Sequence, residues 1–71
     1  MANKVTFQKQ SDYIWTSEAA NGGAQINGGE DFFGNSVYEL FVWDADFKSL
    51  VWGVEFDKLN DAKNYAKNIL K

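Results

Sequence analysis

The chain has 71 residues, 45% of them hydrophobic and 17% aromatic, with a net charge of -3, a composition that folds around a core rather than staying disordered. Cysteine and histidine are absent, which excludes a disulfide framework, a thiolate zinc site, a thiol nucleophile and any Ser-His-Asp arrangement. All seven basic residues are lysine, so the bidentate arginine fork that reads guanine edges is missing and duplex DNA is not an expected partner.

A chain this short removes only roughly 60% of its unfolded surface from water, so one domain spanning residues 1–71 is expected, with every large apolar side chain in use. No stretch approaches the roughly 20 apolar residues that cross a bilayer. A soluble cytoplasmic protein without membrane contact is the expectation.

From Lys4 to Gln10, Val5 and Phe7 alternate with Thr6 and Gln8, the period-2 pattern of a half-buried strand. Gln10-Ser11-Asp12 supplies turn formers, and Tyr13 to Ser17 resumes with aromatic and β-branched residues, a second strand. Asn21-Gly22-Gly23 and Asn27-Gly28-Gly29 read as tight turns, because both residue types accept positive φ. Ala24 to Ile26 between them is either a short edge strand or part of one loop reaching Ser36. Phe32-Phe33 interrupts that polar stretch, and burying a large apolar side chain gains roughly 1.5–3 kcal/mol. At least one of the two rings is therefore expected to pin the loop to the core.

Val37 to Trp43 and Leu50 to Phe56 are two further strands joined by a hairpin. Leu50, Trp52, Val54 and Phe56 share one face of the second and are expected to face the core. Pairing them with Tyr38, Leu40 and Val42 leaves Glu39 and Glu55 in solvent, whereas the other register buries Glu39, which is costly without a partner. Phe41, Trp43, Val51 and Gly53 are then expected on the outer face. Trp15 joins them if Ile14 faces inward, and the opposite orientation of that strand stays open.

Asp57 is a candidate N-cap and Asp61 suits the first turn of a helix. Leu59, Ala62, Ala66 and Ile69 form one stripe flanked by Tyr65 and Leu70, and so short a helix needs that stripe to pack on the sheet. The small Ala62 and Ala66 are expected to let it sit close above Trp52. The fold expected is α+β, a small antiparallel sheet of three to four strands with one C-terminal helix packed on one face.

The acidic pairs Glu30/Asp31, Asp44/Asp46 and Asp57/Asp61 sit at turns or a helix start, where solubility and capping explain them without general acid/base chemistry. Neither Asp44-Ala45-Asp46 nor the segment from Asn27 to Asp31 matches EF-hand spacing, and no phosphate loop is present. No catalytic residue, metal or cofactor is expected. Lys63, Lys67 and Lys71 repeat every four residues as a basic ridge, most simply a solvated helix face.

The outer aromatic face carries the functional expectation, since contiguous apolar patches on monomers usually mark interaction sites. The residues assigned to partner binding are Phe41, Trp43, Glu39, Val51, Glu55, Asp44, Asp46 and Trp15. They suit a non-enzymatic, inhibitor-like or adaptor-like protein whose acidic rim meets a protein partner with a basic surface, or a second copy in a homodimer. The alternative is a binder of single-stranded nucleic acid or nucleotides that stacks bases on the same rings and adds Lys48 and the helix lysines. In a third arrangement the Phe32-Phe33 loop folds over the face and hides it.

Overall fold

The computed structural model describes residues 5–19 and 21–70. Five strands, β1 (Gln8–Ser11), β2 (Ile14–Ala19), β3 (Gly22–Glu30), β4 (Ser36–Asp44) and β5 (Ser49–Phe56), precede one helix, α1 (Leu59–Leu70). The strands form one antiparallel sheet in the order β1-β2-β3-β4-β5, and α1 packs on β3, β4 and β5. The class is α+β, but the sheet has five strands where three to four were expected.

The glycine-rich segment accounts for much of the difference. Instead of a loop or a three-residue edge strand it forms the nine-residue β3 at the centre of the sheet. Asn27, Gly28 and Gly29 pair with Glu39, Tyr38 and Val37 of β4, so they continue the strand and make no turn. Two glycines of β3, Gly23 and Gly28, serve by lacking a side chain. A Cβ at Gly23 would lie 2.7 Å from the Trp43 indole nitrogen, and one at Gly28 would lie 3.1 Å from the Trp15 ring. Rings of the neighbouring strands occupy the space that side chains would otherwise fill.

Ala24, Ile26, Leu40, Val42, Val51, Ala62, Ala66 and Leu70 form the buried core, with Val5 beside them. Phe7 packs against this core although regular pairing begins only at Gln8, and Lys4 of the expected first strand lies outside the described residues. The helix stripe fell where its spacing predicts, with Leu70 more deeply buried than Ile69. The first helical hydrogen bond runs from Ala62 N to the Lys58 carbonyl at 3.3 Å, which puts Asp57 one residue ahead of the cap position.

Two irregularities in β5 decide which side chains meet the helix. Leu40 pairs with Val54 but Phe41 pairs with Trp52, so Gly53 is an extra residue in its strand. It has φ +72°, a conformation glycine adopts readily and other L-residues at a cost. The insertion reverses the alternation. Val51 turns inward opposite Val42 and is only 8% exposed, whereas Trp52 turns outward and is 73% exposed. A second shift leaves Leu50 unpaired between Val51 and Ser49.

The expected inward quartet is therefore corrected in part: Trp52 turns outward and Leu50 is exposed at the second shift, whereas Phe56 packs against the core and Val54 stays on the helix side opposite Leu40, although it is partly exposed. Val51, expected outside, belongs to the core. The helix alanines close down on Val51 and its neighbours and not on Trp52.

Replacing Gly53 with alanine forces a side chain into the left-handed region, which costs about 1–2 kcal/mol. Urea unfolding of Gly53→Ala is expected to show a loss of that size, with Trp52 emission reporting any change of register.

Candidate functional site

The sheet face opposite α1 is built from residues that alternate with the core positions. Gln25 and Asn27 come from β3, Glu39, Phe41 and Trp43 from β4, and Trp52 and Glu55 from β5. Thr16 and Glu18 extend it on β2, opposite Gln25 and Gly23. Phe41 and Trp52 meet edge to face with centroids 4.9 Å apart and planes at 80°, the arrangement that aromatic quadrupoles favour.

Trp43 lies back across Gly23 and is half-buried, so this face holds one anchored indole and one free one. The Gln25 amide donates to Asn27 Oδ1 at 2.8 Å, fixing the polar side chains between them. A groove of about 300 Å³ runs between Gln25, Asn27, Phe41, Trp43 and Trp52. On the other side of Trp43 a broader, more polar depression of about 550 Å³ reaches Gln8, Gln10 and Thr16.

The charged side chains that β2 to β5 direct to this face are Glu18, Glu39 and Glu55. Glu39 stands directly opposite Glu55, and both are exposed. Like charges in facing positions destabilise a sheet, so this apposition works against folding.

Of the residues assigned from sequence, Phe41, Trp43, Glu39 and Glu55 lie on this face. Asp44 ends β4, paired with Gly22, and Asp46 stands in the adjoining β4–β5 turn. Val51 is in the core. Trp15 lies on the helix side, where its ring meets Tyr38 edge to face at 5.9 Å, because Trp15 pairs with Ile26, an inward residue. Trp52, Glu18 and Gln25 were not assigned, although a glycine inside a strand pattern, here Gly53, is a recognised sign of a bulge.

Lys63 and Lys67 sit on α1, in the layer on the far side of the sheet from Phe41, Trp43 and Trp52. Lys71 of the expected ridge lies outside the described residues. The aromatic face and the helix lysines therefore do not form one surface.

Phe32 and Phe33 cover nothing: they are 98% and 85% exposed at the tip of the β3–β4 hairpin, 5.9 Å apart. The expectation that one of them pins a loop to the core is overturned, as is the arrangement in which they hide the aromatic face. Their turn is held instead by Asp31, whose Oδ1 accepts from Phe33 N at 2.8 Å and Asn35 N at 2.9 Å. Gly34 N donates to the Asp31 carbonyl at 3.1 Å, and Gly34 has φ +82°.

The β4–β5 turn repeats this design. Asp44 Oδ1 accepts from Asp46 N and Lys48 N, each at 2.9 Å, and Phe47 N donates to the Asp44 carbonyl at 2.9 Å. Here the left-handed position is taken by Phe47, with φ +63°, which leaves its ring 84% exposed. An L-residue pays about 1–2 kcal/mol in that conformation, and this ring is left in solvent.

Among the described residues no group of three or more acidic side chains is placed to hold a metal ion, and no helix is long and apolar enough to cross a membrane. No family model, curated protein or solved structure matches the chain.

Phe47→Gly is expected to raise unfolding stability by about 1 kcal/mol, the relief of the left-handed penalty, measured by urea denaturation. The backbone donors from Asn35, and next to it Phe33, hold the Asp31 carboxyl below its usual value of 3.8. A depressed folded-state pKa contributes stability that is present above the unfolded value and lost as pH falls through the folded one. Asp31→Asn, which keeps the acceptor and loses the titration, is expected to show a shallower acid limb below about pH 4 in a stability–pH profile.

Proposed function

We propose that this chain is a non-enzymatic binding module, inhibitor-like or adaptor-like, whose outer sheet face engages a protein partner with a basic surface. The observation that carries this is the exposed Trp52 packed on Phe41, on a face whose strands direct only carboxylates among their charged groups. Tryptophan is enriched among the residues that dominate interface energies. Lysine or arginine from a partner would relieve the apposition of Glu39 and Glu55 and would stack against the rings. The molecule measures 41 × 20 × 18 Å, so its broad face is of the size needed for the roughly 800 Å² that each side of a stable interface contributes.

Single-stranded nucleic acid fits less well, because the helix lysines stand behind the sheet, which leaves Lys48 of the β4–β5 turn as the cation beside the face, and Glu18, Glu39 and Glu55 would repel phosphates. A second copy would bring the same carboxylates together.

Capture from the source cell with immobilised wild type, compared with a Phe41→Ala, Trp52→Ala double variant and with Glu39→Gln, Glu55→Gln, tests the proposal. A specific protein that is lost with either variant and weakens as salt rises supports it. Retention on both variants, or binding of an oligonucleotide at low salt that survives loss of the two rings, overturns it. The Glu39→Gln substitution is also expected to stabilise the free protein by about 0.2–1 kcal/mol, the cost of a facing like-charge pair.

A further inference from the structure

At the end of the aromatic face nearest the β4–β5 turn lies a depression of about 330 Å³ lined by Glu18, Gly22, Gly23, Trp43, Asp44 and Phe47, with Ala45 at its edge. Gly22 and Gly23 line it without side chains, and the Trp43 indole lies across Gly23. Two aromatic residues, Trp43 and the largely exposed Phe47, are among those that line it. The ionisable side chains that line it are both carboxylates, Glu18 and Asp44. Asp44 uses Oδ1 for two backbone donors of its own turn, and its second oxygen is not needed there.

Aromatic walls with carboxylates suit one chemistry, an organic cation on an apolar stem. The methylenes of a lysine or arginine lie along rings while the charged head meets the quadrupole face and the acidic groups. The volume is at the small end for ligand pockets, which begin near roughly 300 Å³, and so admits about one side chain. Phe47 is the telling wall. The β3–β4 turn has the same hydrogen bonds with Gly34 in the corresponding place, so the turn by itself does not call for a phenylalanine, and the ring gains no burial in the free protein.

We propose that this depression is a socket for a single lysine or arginine side chain of the partner. The proposal rests on the reading that the partner is basic, and it fixes where the key cation enters: beside Trp43 and Phe47, at the turn end of the face and away from Trp52. A second copy of the chain or an uncharged apolar side chain are the competing occupants.

The test is a titration of the isotopically labelled protein with Ac-Gly-Lys-Gly-amide, its arginine analogue and its norleucine analogue, which keeps the stem and removes the charge. The expected result is saturable shifts of the Gly22 and Gly23 amides and the Trp43 indole N–H with the lysine and arginine peptides. The norleucine peptide is expected to bind roughly two- to fivefold more weakly, the scale of an exposed cation–π contact. Phe47→Gly is expected to weaken the lysine peptide by about threefold and Glu18→Gln, which removes one exposed ion pair, by about twofold, whereas Phe32→Ser, at the opposite end of the sheet, leaves it unchanged.

Equal binding of norleucine, the absence of saturable shifts at these groups, or an unchanged affinity in Phe47→Gly overturns the socket. Because Phe47→Gly is expected to be more stable than wild type, lost binding in that variant cannot be ascribed to unfolding. The two proposals fail separately. A partner captured through Phe41 and Trp52 while the lysine peptide does not bind removes the socket alone. A discriminating socket without any captured basic partner removes the broader reading and leaves the cation site.

Discussion

The structure depends on the register change at Gly53. One extra residue, in a backbone conformation that glycine reaches readily, reverses the alternation of β5 partway along its length. Below it, Phe56 serves the helix side. Above it, Val51 fills the core over Val42 while Trp52 is turned into solvent against Phe41. Had the alternation run on unbroken, the largest side chain of the strand would sit under the helix, where Ala62 and Ala66 are packed without any exposed surface. The close approach of α1 and the exposure of Trp52 are thus two consequences of one bulge.

Glycine shapes the opposite side of the face by a different route. In β3 the glycines leave space that rings from adjacent strands occupy, Trp43 across Gly23 on the outer side and Trp15 with Tyr38 beside Gly28 on the helix side. Large residues on one strand and absent side chains on the next fill the surface together, which a small sheet with few layers needs if its aromatics are to be half-buried rather than loose. Trp43 is held in this way and Trp52 is not. In the proposed binding role, one fixed ring and one adaptable ring would give both a prepared contact and some freedom to fit.

Several features of this face and the turn beside it work against the stability of the free molecule: Glu39 opposite Glu55, Trp52 in water, and Phe47 in a left-handed conformation. In a chain of 71 residues, where total stability is only a few kcal/mol, local rules broken together on one surface are the expected sign of a functional constraint. Phe32 and Phe33 at the far hairpin tip are equally exposed, but their turn is unstrained at Gly34 and nothing beside them suggests an occupant.

Local chemistry was legible in the sequence. The α+β class, the stripe of α1, the strands now called β4 and most of β5, the solvent exposure of Glu39 and Glu55, and the aromatic character of the face all follow from spacing and from the cost of burying charge. These are properties a residue carries with its immediate neighbours. The tertiary structure alone decided the phase of β5, the strand role of Asn27-Gly28-Gly29, the inward turn of Trp15 and Val51, and the failure of Phe32 and Phe33 to cover anything. Each depends on what stands across from the residue in another strand: a bulge is defined only against a partner, and a glycine is a turn or a seat for an indole according to the ring its neighbour supplies.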